Sequence, residues 1–82
     1  MDPLLAHFGT AVRRYRDLLR ISQEELADRA SLDRTYVSGV ERGQRNPTLK
    51  TVERLAAALR VEIEVLFATT REIRQSASGR QR

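Results

Sequence analysis

The chain has 82 residues, with 15 Lys and Arg against 11 Asp and Glu, a net charge of +4 and a pI near 10.6. That length supports one small domain with a modest core and leaves no room for a separate catalytic domain. With no cysteine, no apolar run near the roughly 20 residues of a bilayer span and no signal peptide in the Met1-Asp2-Pro3 start, the expectation is a cytoplasmic protein without disulfides, thiolate metal sites or membrane contact.

Asp2-Pro3 reads as a helix start, an N-cap followed by proline where its missing amide costs nothing. Leu5, Phe8, Val12, Tyr15 and Leu19 then recur at spacings of three and four, which predicts an amphipathic first helix. Gly9 inside it should cost about 1 kcal/mol relative to alanine. Ser22 and Glu25 have capping-box spacing: the serine can accept an orphan amide of the first turn and the glutamate can reach back to the serine amide. Leu26, Ala27 and Ala30 keep one face of this second helix, and Ser31-Leu32-Asp33 interrupts it with residues that favour caps and turns. Asp33 is the expected cap of a third helix running to about Arg42, where Gly43 can take the left-handed conformation of a helix C-terminus.

Residues 43–47 read as a loop, and Thr48 as the cap of a fourth helix with Leu49, Val52, Leu55, Ala56 and Leu59 on its apolar side. Val61 to Val65 alternates as a strand would, but Leu66 and Phe67 break the alternation and the chain offers no second strand to pair with. A short fifth helix is therefore expected. Residues 1–67 form the expected domain; residues 68–82 read as a polar, basic, flexible tail, disordered from Ser76. The last twelve residues carry +3 of the net charge, so residues 1–70 are nearly balanced at +1. Any polyanion-binding surface on the folded part must come from placement of charge. The fold class expected is all-α, a compact globule of four or five helices.

The third helix has two distinct sides. Val37 and Val40 share one, with Glu41 beside them, and a carboxylate there needs a partner because an unpaired buried charge is costly. The other carries Thr35, Ser38, Gly39 and Arg42, flanked by Arg34 and Tyr36. A merely solvated face would favour strong helix formers such as Glu, Lys, Gln or Ala; this one has threonine, serine and glycine. Its charges are both arginine, which can pair bidentately with guanine in the major groove. Gly39 weakens the helix, and a common reason for that is close approach of another backbone or a ligand.

On Val12, Arg16, Gln23, Glu24, Leu26, Ala27, Val37, Val40, Glu41, Arg42, Gly43, Pro47, Leu55, Ala56, Leu59, Leu66 and Phe67, the chain from about 12 to 67 resembles the Xre/Cro-type helix-turn-helix regulators. The stretch LDRTYVSGVERGQRNPT is most similar to the controller proteins of restriction-modification systems. The resemblance implies a five-helix, lambda-repressor-like domain that binds double-stranded DNA as a homodimer on a pseudo-palindromic operator, its second motif helix in the major groove. It makes Arg34, Thr35 and Tyr36 base-edge candidates, Ser38 a phosphate or base contact and Arg42 a backbone contact. Gln23 would hold a phosphate at the start of the first motif helix, and Arg45, Asn46, Thr48 and Lys50 would grip the backbone. It also proposes Arg16 as the partner of Glu41. Arg20 and Ser31 stand where many relatives have glycine at a helix end, and Gly39 where a long polar side chain is common.

His7 is the single histidine and the serines have no companion histidine, so neither metal nor nucleophilic chemistry is expected. Glu24 and Glu25 are neighbours on a helix and do not face each other. Tyr36 can either pack on the first motif helix or lie on DNA. Ile63, Val65 and Phe67 form the candidate dimer strip. The expectation is thus a non-enzymatic transcription regulator without cofactor, repressor, activator or both, with RNA polymerase as a contact in an activating role. Two alternatives stay open: an antitoxin-type repressor that also binds a toxin, and a protein-interaction module of this fold.

Overall fold

The computed structural model describes residues 3–79, which form five helices joined by short connections: α1 (Pro3–Leu19), α2 (Gln23–Ala30), α3 (Arg34–Glu41), α4 (Leu49–Ala58) and α5 (Ile63–Gly79). Asp2, the expected cap of α1, lies outside the described residues.

The caps at the other helix starts are only partly those expected. Ser22 Oγ accepts from the Glu25 amide at 3.0 Å and Thr48 Oγ1 from the Thr51 amide at 3.2 Å. Glu25 does not complete a box; its carboxylate takes Arg29 Nε one turn on, at 2.9 Å. Asp33 holds the cap position of α3 with extended backbone, but its side chain makes no cap bond. α3 as a whole packs chiefly against α1 and α2.

Four helix ends close in the same way. Arg20, Ser31, Gly43 and Arg60 adopt φ of 57°, 57°, 72° and 62°, and at each the paired amides of this and the next residue return to carbonyls of the last turn, as Gly43 to Val40 at 3.0 Å and Gln44 to Gly39 at 2.8 Å. Arg20 and Ser31 thus use the left-handed turn without glycine, against a steric cost of about 1–2 kcal/mol per residue.

The core gathers Phe8, Ala11 and Val12 of α1, Leu26, Ala27 and Ala30 of α2, Val37 and Val40 of α3, Val52, Leu55, Ala56 and Ala58 of α4, Leu59 just after it, and Leu66 of α5. Gly9 sits where α1 crosses the end of α3. A Cβ there would lie 2.6 Å from the Glu41 carbonyl oxygen and still nearer that of Val40, so the loss of helix propensity is exchanged for a close crossing.

The C-terminal boundary departs from expectation. The chain does not become a tail at Ala68: α5 continues to Gly79, with Thr69 and Thr70 buried and Ile73 packed on the core. Leu66, Thr69, Thr70 and Ile73 recur at helical spacing and face α1, where Tyr15 and Thr69 share a 2.6 Å hydroxyl bond. The Thr70 hydroxyl donates to the Leu66 carbonyl at 2.8 Å. The threonines read as polar in sequence, yet their methyls pack and their hydroxyls find partners inside the fold. Residues 80–82 of the expected tail lie outside the described residues.

Candidate nucleic-acid interface

α2 and α3 meet across the turn at residues 31–33, and α3 is fixed by its buried side. Val37 and Val40 are fully or almost fully buried. Beside them Glu41, whose side chain is 4% exposed, receives Arg16 of α1 in a two-pronged pair, Nε to Oε2 at 2.7 Å and Nη2 to Oε1 at 3.0 Å. Arg16 Nη1 also donates to the Ile21 carbonyl at 2.9 Å, and Gln23 Nε2 donates to Glu41 Oε1 at 3.0 Å. Hydrogen bonding to Glu41 raises the Arg16 pKa above its ordinary value, so the guanidinium stays charged. Two helices, α1 and α2, are thus tied to the last turn of α3 through one carboxylate, and the orientation of its outer side follows.

On that outer side Arg34 and Thr35 stand exposed at the N-terminal end. Arg42, at the other end, donates through Nη1 to Ser38 Oγ and through Nε to Gln44 Oε1 at 3.2 Å. Between them lies Arg45, which folds back from the loop over α3. Its Cζ is 5.4 Å from the centroid of the Tyr36 ring, a cation–π stack. Its stem crosses Gly39, where an added Cβ would come 2.8 Å from Arg45 Cγ. Gly39 is buried for that reason, so the bare centre seen in the sequence is covered by a residue of the following loop.

The remaining candidates divide. Gln23 is at the start of α2, but its amide is engaged by Glu41 and so braces α3. Thr48 spends its hydroxyl on the α4 cap and on Thr51, at 3.1 Å. Lys50 is exposed and faces Glu53 at 3.6 Å, a surface pair worth little. Asn46 edges a shallow apolar hollow of about 270 Å³ with Leu4, Leu5, Phe8, Pro47 and Phe67. Gln44, which the sequence reading passed over, steadies Arg42. Spacing alone gives no sign of this, because the bond depends on the turn at Gly43.

The electrostatics favour an anion on this side. Arg34, Arg42 and Arg45 lie on α3 and its loop, while Glu41 is neutralised from within by Arg16. The carboxylates of Glu24, Glu25, Asp28 and Asp33 line a separate concave surface beside α2 that also reaches Arg34. Among the described residues no group of His, Asp or Glu could hold a metal ion, and no helix is long and apolar enough to cross a membrane.

The dimer strip is less uniform than its sequence. Ile63 is half-buried against the protomer's own core, and Phe67 stacks obliquely on Phe8, with ring centroids 6.3 Å apart, while remaining 43% exposed. Val65 is 41% exposed and has no such packing role in the core cluster.

Tyr36 is half-buried, packed on the core with Arg45 over its ring. Two short helices with a tight turn, the second seated by a buried ion pair and turning arginine and threonine outward, define a helix-turn-helix DNA-binding protein. Residues 12–66 match the helix-turn-helix family, and the chain belongs to it, in its Xre-type branch. Its relatives are more specific than that. The control protein C.SmaI of Serratia marcescens is 47% identical over 56 residues, 68% of this chain and 67% of that protein. The restriction-modification controller protein C.AhdI of Aeromonas hydrophila superposes with a TM-score of 0.74 at 48% identity, over 76% of this chain and 94% of its own. The controller protein C.Esp1396I superposes with a TM-score of 0.86 at 33% identity, over 93% and 99%. C.Esp1396I has also been solved as a tetramer with its natural 35 base-pair operator.

Proposed function

We infer that this chain is a sequence-specific regulator of transcription that binds operator DNA as a multimer built from homodimers, with α3 in the major groove and no catalytic role. The observation that carries this reading is the outer side of α3, where Arg34 and Thr35 project, with the half-buried Tyr36 on their flank, from a helix that Glu41, Arg16 and Gln23 hold rigidly. A reading helix must present its side chains within a fraction of a hydrogen-bond length, and a buried two-pronged pair at its far end restricts both tilt and slide. Arg34 and Arg45 supply the guanidiniums suited to guanine edges, Thr35 and Tyr36 the hydroxyls that sort between bases, and Ser38, Arg42, Asn46 and Lys50 the backbone grip, while Thr48 serves by capping the helix that carries Lys50. The tetramer of C.Esp1396I on its operator supports this by kinship.

The dimer is formed through the α5 side that carries Val65 and Phe67, with Ile63 at its margin. Two α3 helices related by a two-fold axis then meet half-sites spaced by about one helical turn of DNA. As an activator the protein would meet RNA polymerase, for which the exposed carboxylates of α2 are the available surface. Its working place is with the DNA, in the cytoplasm.

Selection of bound duplexes from a random pool tests the reading. The expected result is a two-fold symmetric motif, with affinity falling steeply as salt rises because phosphate contacts release counterions. A flat salt response with no enriched sequence would overturn it.

A further inference from the structure

The reading helix has a gap at its centre, and the loop after it fills that gap. Position 39 faces the same side as Thr35 and Arg42 but has no side chain. Over it passes Arg45, its Cγ, Nε and Cδ placed 2.8, 3.2 and 3.5 Å from where a Cβ at position 39 would stand. The guanidinium ends over the Tyr36 ring, 5.4 Å from its centroid. The loop that delivers Arg45 is itself pinned to the same residue, since the Gln44 amide donates to the Gly39 carbonyl at 2.8 Å. Gly43 fixes the turn, with φ of 72°, and its missing Cβ lets it sit on the α1 backbone at Ala6.

From this we propose that Gly39 is a positioning residue for DNA reading. Its lack of a side chain is the seat of Arg45, so that a loop arginine supplies the long cationic reader that the helix lacks at this point. The proposal rests on the DNA-binding reading above. The geometry separates it from the ordinary account of a glycine on such a face, in which the helix backbone itself comes close to DNA. Here Arg45 occupies that space already.

Three consequences follow, and the second separates the two accounts. Gly39→Ala improves helix propensity, but the added Cβ meets Arg45 from Cγ onward, so the whole exposed side chain must swing away; with that swing made, the thermal midpoint should stay close to that of the wild type. Arg45 should leave the ring: in the free wild-type protein its δ protons should be shifted upfield by Tyr36, and the substitution should move them toward random-coil values. Operator affinity should fall roughly tenfold, within the range of losing one base-reading arginine, with relaxed preference at one position of each half-site.

The deciding experiment is a double-mutant cycle on the operator selected by the wild-type chain, reading affinity and base preference by fluorescence anisotropy with matched and mismatched duplexes. Gly39→Ala and Arg45→Ala should relax the same position, and Gly39→Ala should have no further effect once Arg45 is already alanine. Additive losses would overturn the proposal in favour of direct backbone approach, and full affinity in Gly39→Ala would overturn it outright. Should Gly39→Ala fail to fold, the comparison of Arg45→Ala with the double variant still decides, because no clash remains there. A wild-type chain that enriches no sequence removes the DNA reading itself, and the role of Gly39 with it.

Discussion

Arg16 of α1 and Glu41 at the end of α3 form a buried two-pronged ion pair, at 2.7 and 3.0 Å, across 25 positions of sequence. Gln23 adds a third bond to the same carboxylate. Removing the carboxylate strands a guanidinium that is only 13% exposed. Glu41→Ala should therefore cost about 3 kcal/mol, the low end for breaking a buried pair, because Arg16 keeps the Ile21 carbonyl and a distant Asp17. Urea unfolding measures this; a loss below half that size would mean that water reaches the pair.

Arg34 and Gln23 should fail in different ways. Arg34 is exposed at the head of α3 and pairs with nothing in its own core, so Arg34→Ala should leave unfolding unchanged and lose about 1–3 kcal/mol of discrimination at one operator position. Gln23→Ala removes a brace of Glu41. It should lower stability by about 1 kcal/mol and weaken all duplexes alike. Binding to matched and mismatched duplexes checks both, and an equal loss across them for Arg34→Ala would place that residue on the phosphates.

Three left-handed helix ends lack glycine. Arg20, Ser31 and Arg60 hold φ near 60° with an L side chain. Replacing each with glycine relieves the steric cost at the expense of a freer unfolded chain, for a net gain of about 0.5–1 kcal/mol per site. The sites are at separate helix ends, so the gains should add. Thermal unfolding of the triple variant checks it, and a lowered midpoint would show that the replaced side chains contribute more than the turns cost.

Dimerisation is best tested at Val65. Ile63 belongs in part to the protomer's own core and Phe67 rests on Phe8, so charges there would disturb folding as well as association. Val65→Asp should shift sedimentation from dimer to monomer while leaving the circular dichroism intact. An unchanged dimer mass would move the interface away from this side of α5.

The sequence by itself determined the helices and their inward sides. Apolar spacing at three and four marks α1, α2 and α4, and the caps at Ser22 and Thr48 are local bonds written in adjacent residues. The same holds for the outward position of Thr35 with Arg34 and Tyr36 on its flanks, which depends only on the angle between successive residues of one helix; that the Tyr36 ring leans on the core is a matter of packing. The need of Glu41 for a partner was legible too, since burial of Val37 and Val40 carries it inward, and the family resemblance pointed to Arg16.

What only the tertiary structure decided are the interactions in which one side chain must choose among partners brought together by folding. Gln23 turns to Glu41 because α3 delivers a buried carboxylate beside it. Thr69 and Thr70 carry α5 past residue 67 because α1 offers Tyr15 and an apolar groove, which hydropathy along the chain cannot register. Arg45 lies on Tyr36 because a left-handed turn at Gly43 reverses the chain over a helix with a vacancy at Gly39. Periodicity reports which way a side chain points from its own helix; which neighbour it meets depends on distances set by the other helices, and those are properties of the packed chain.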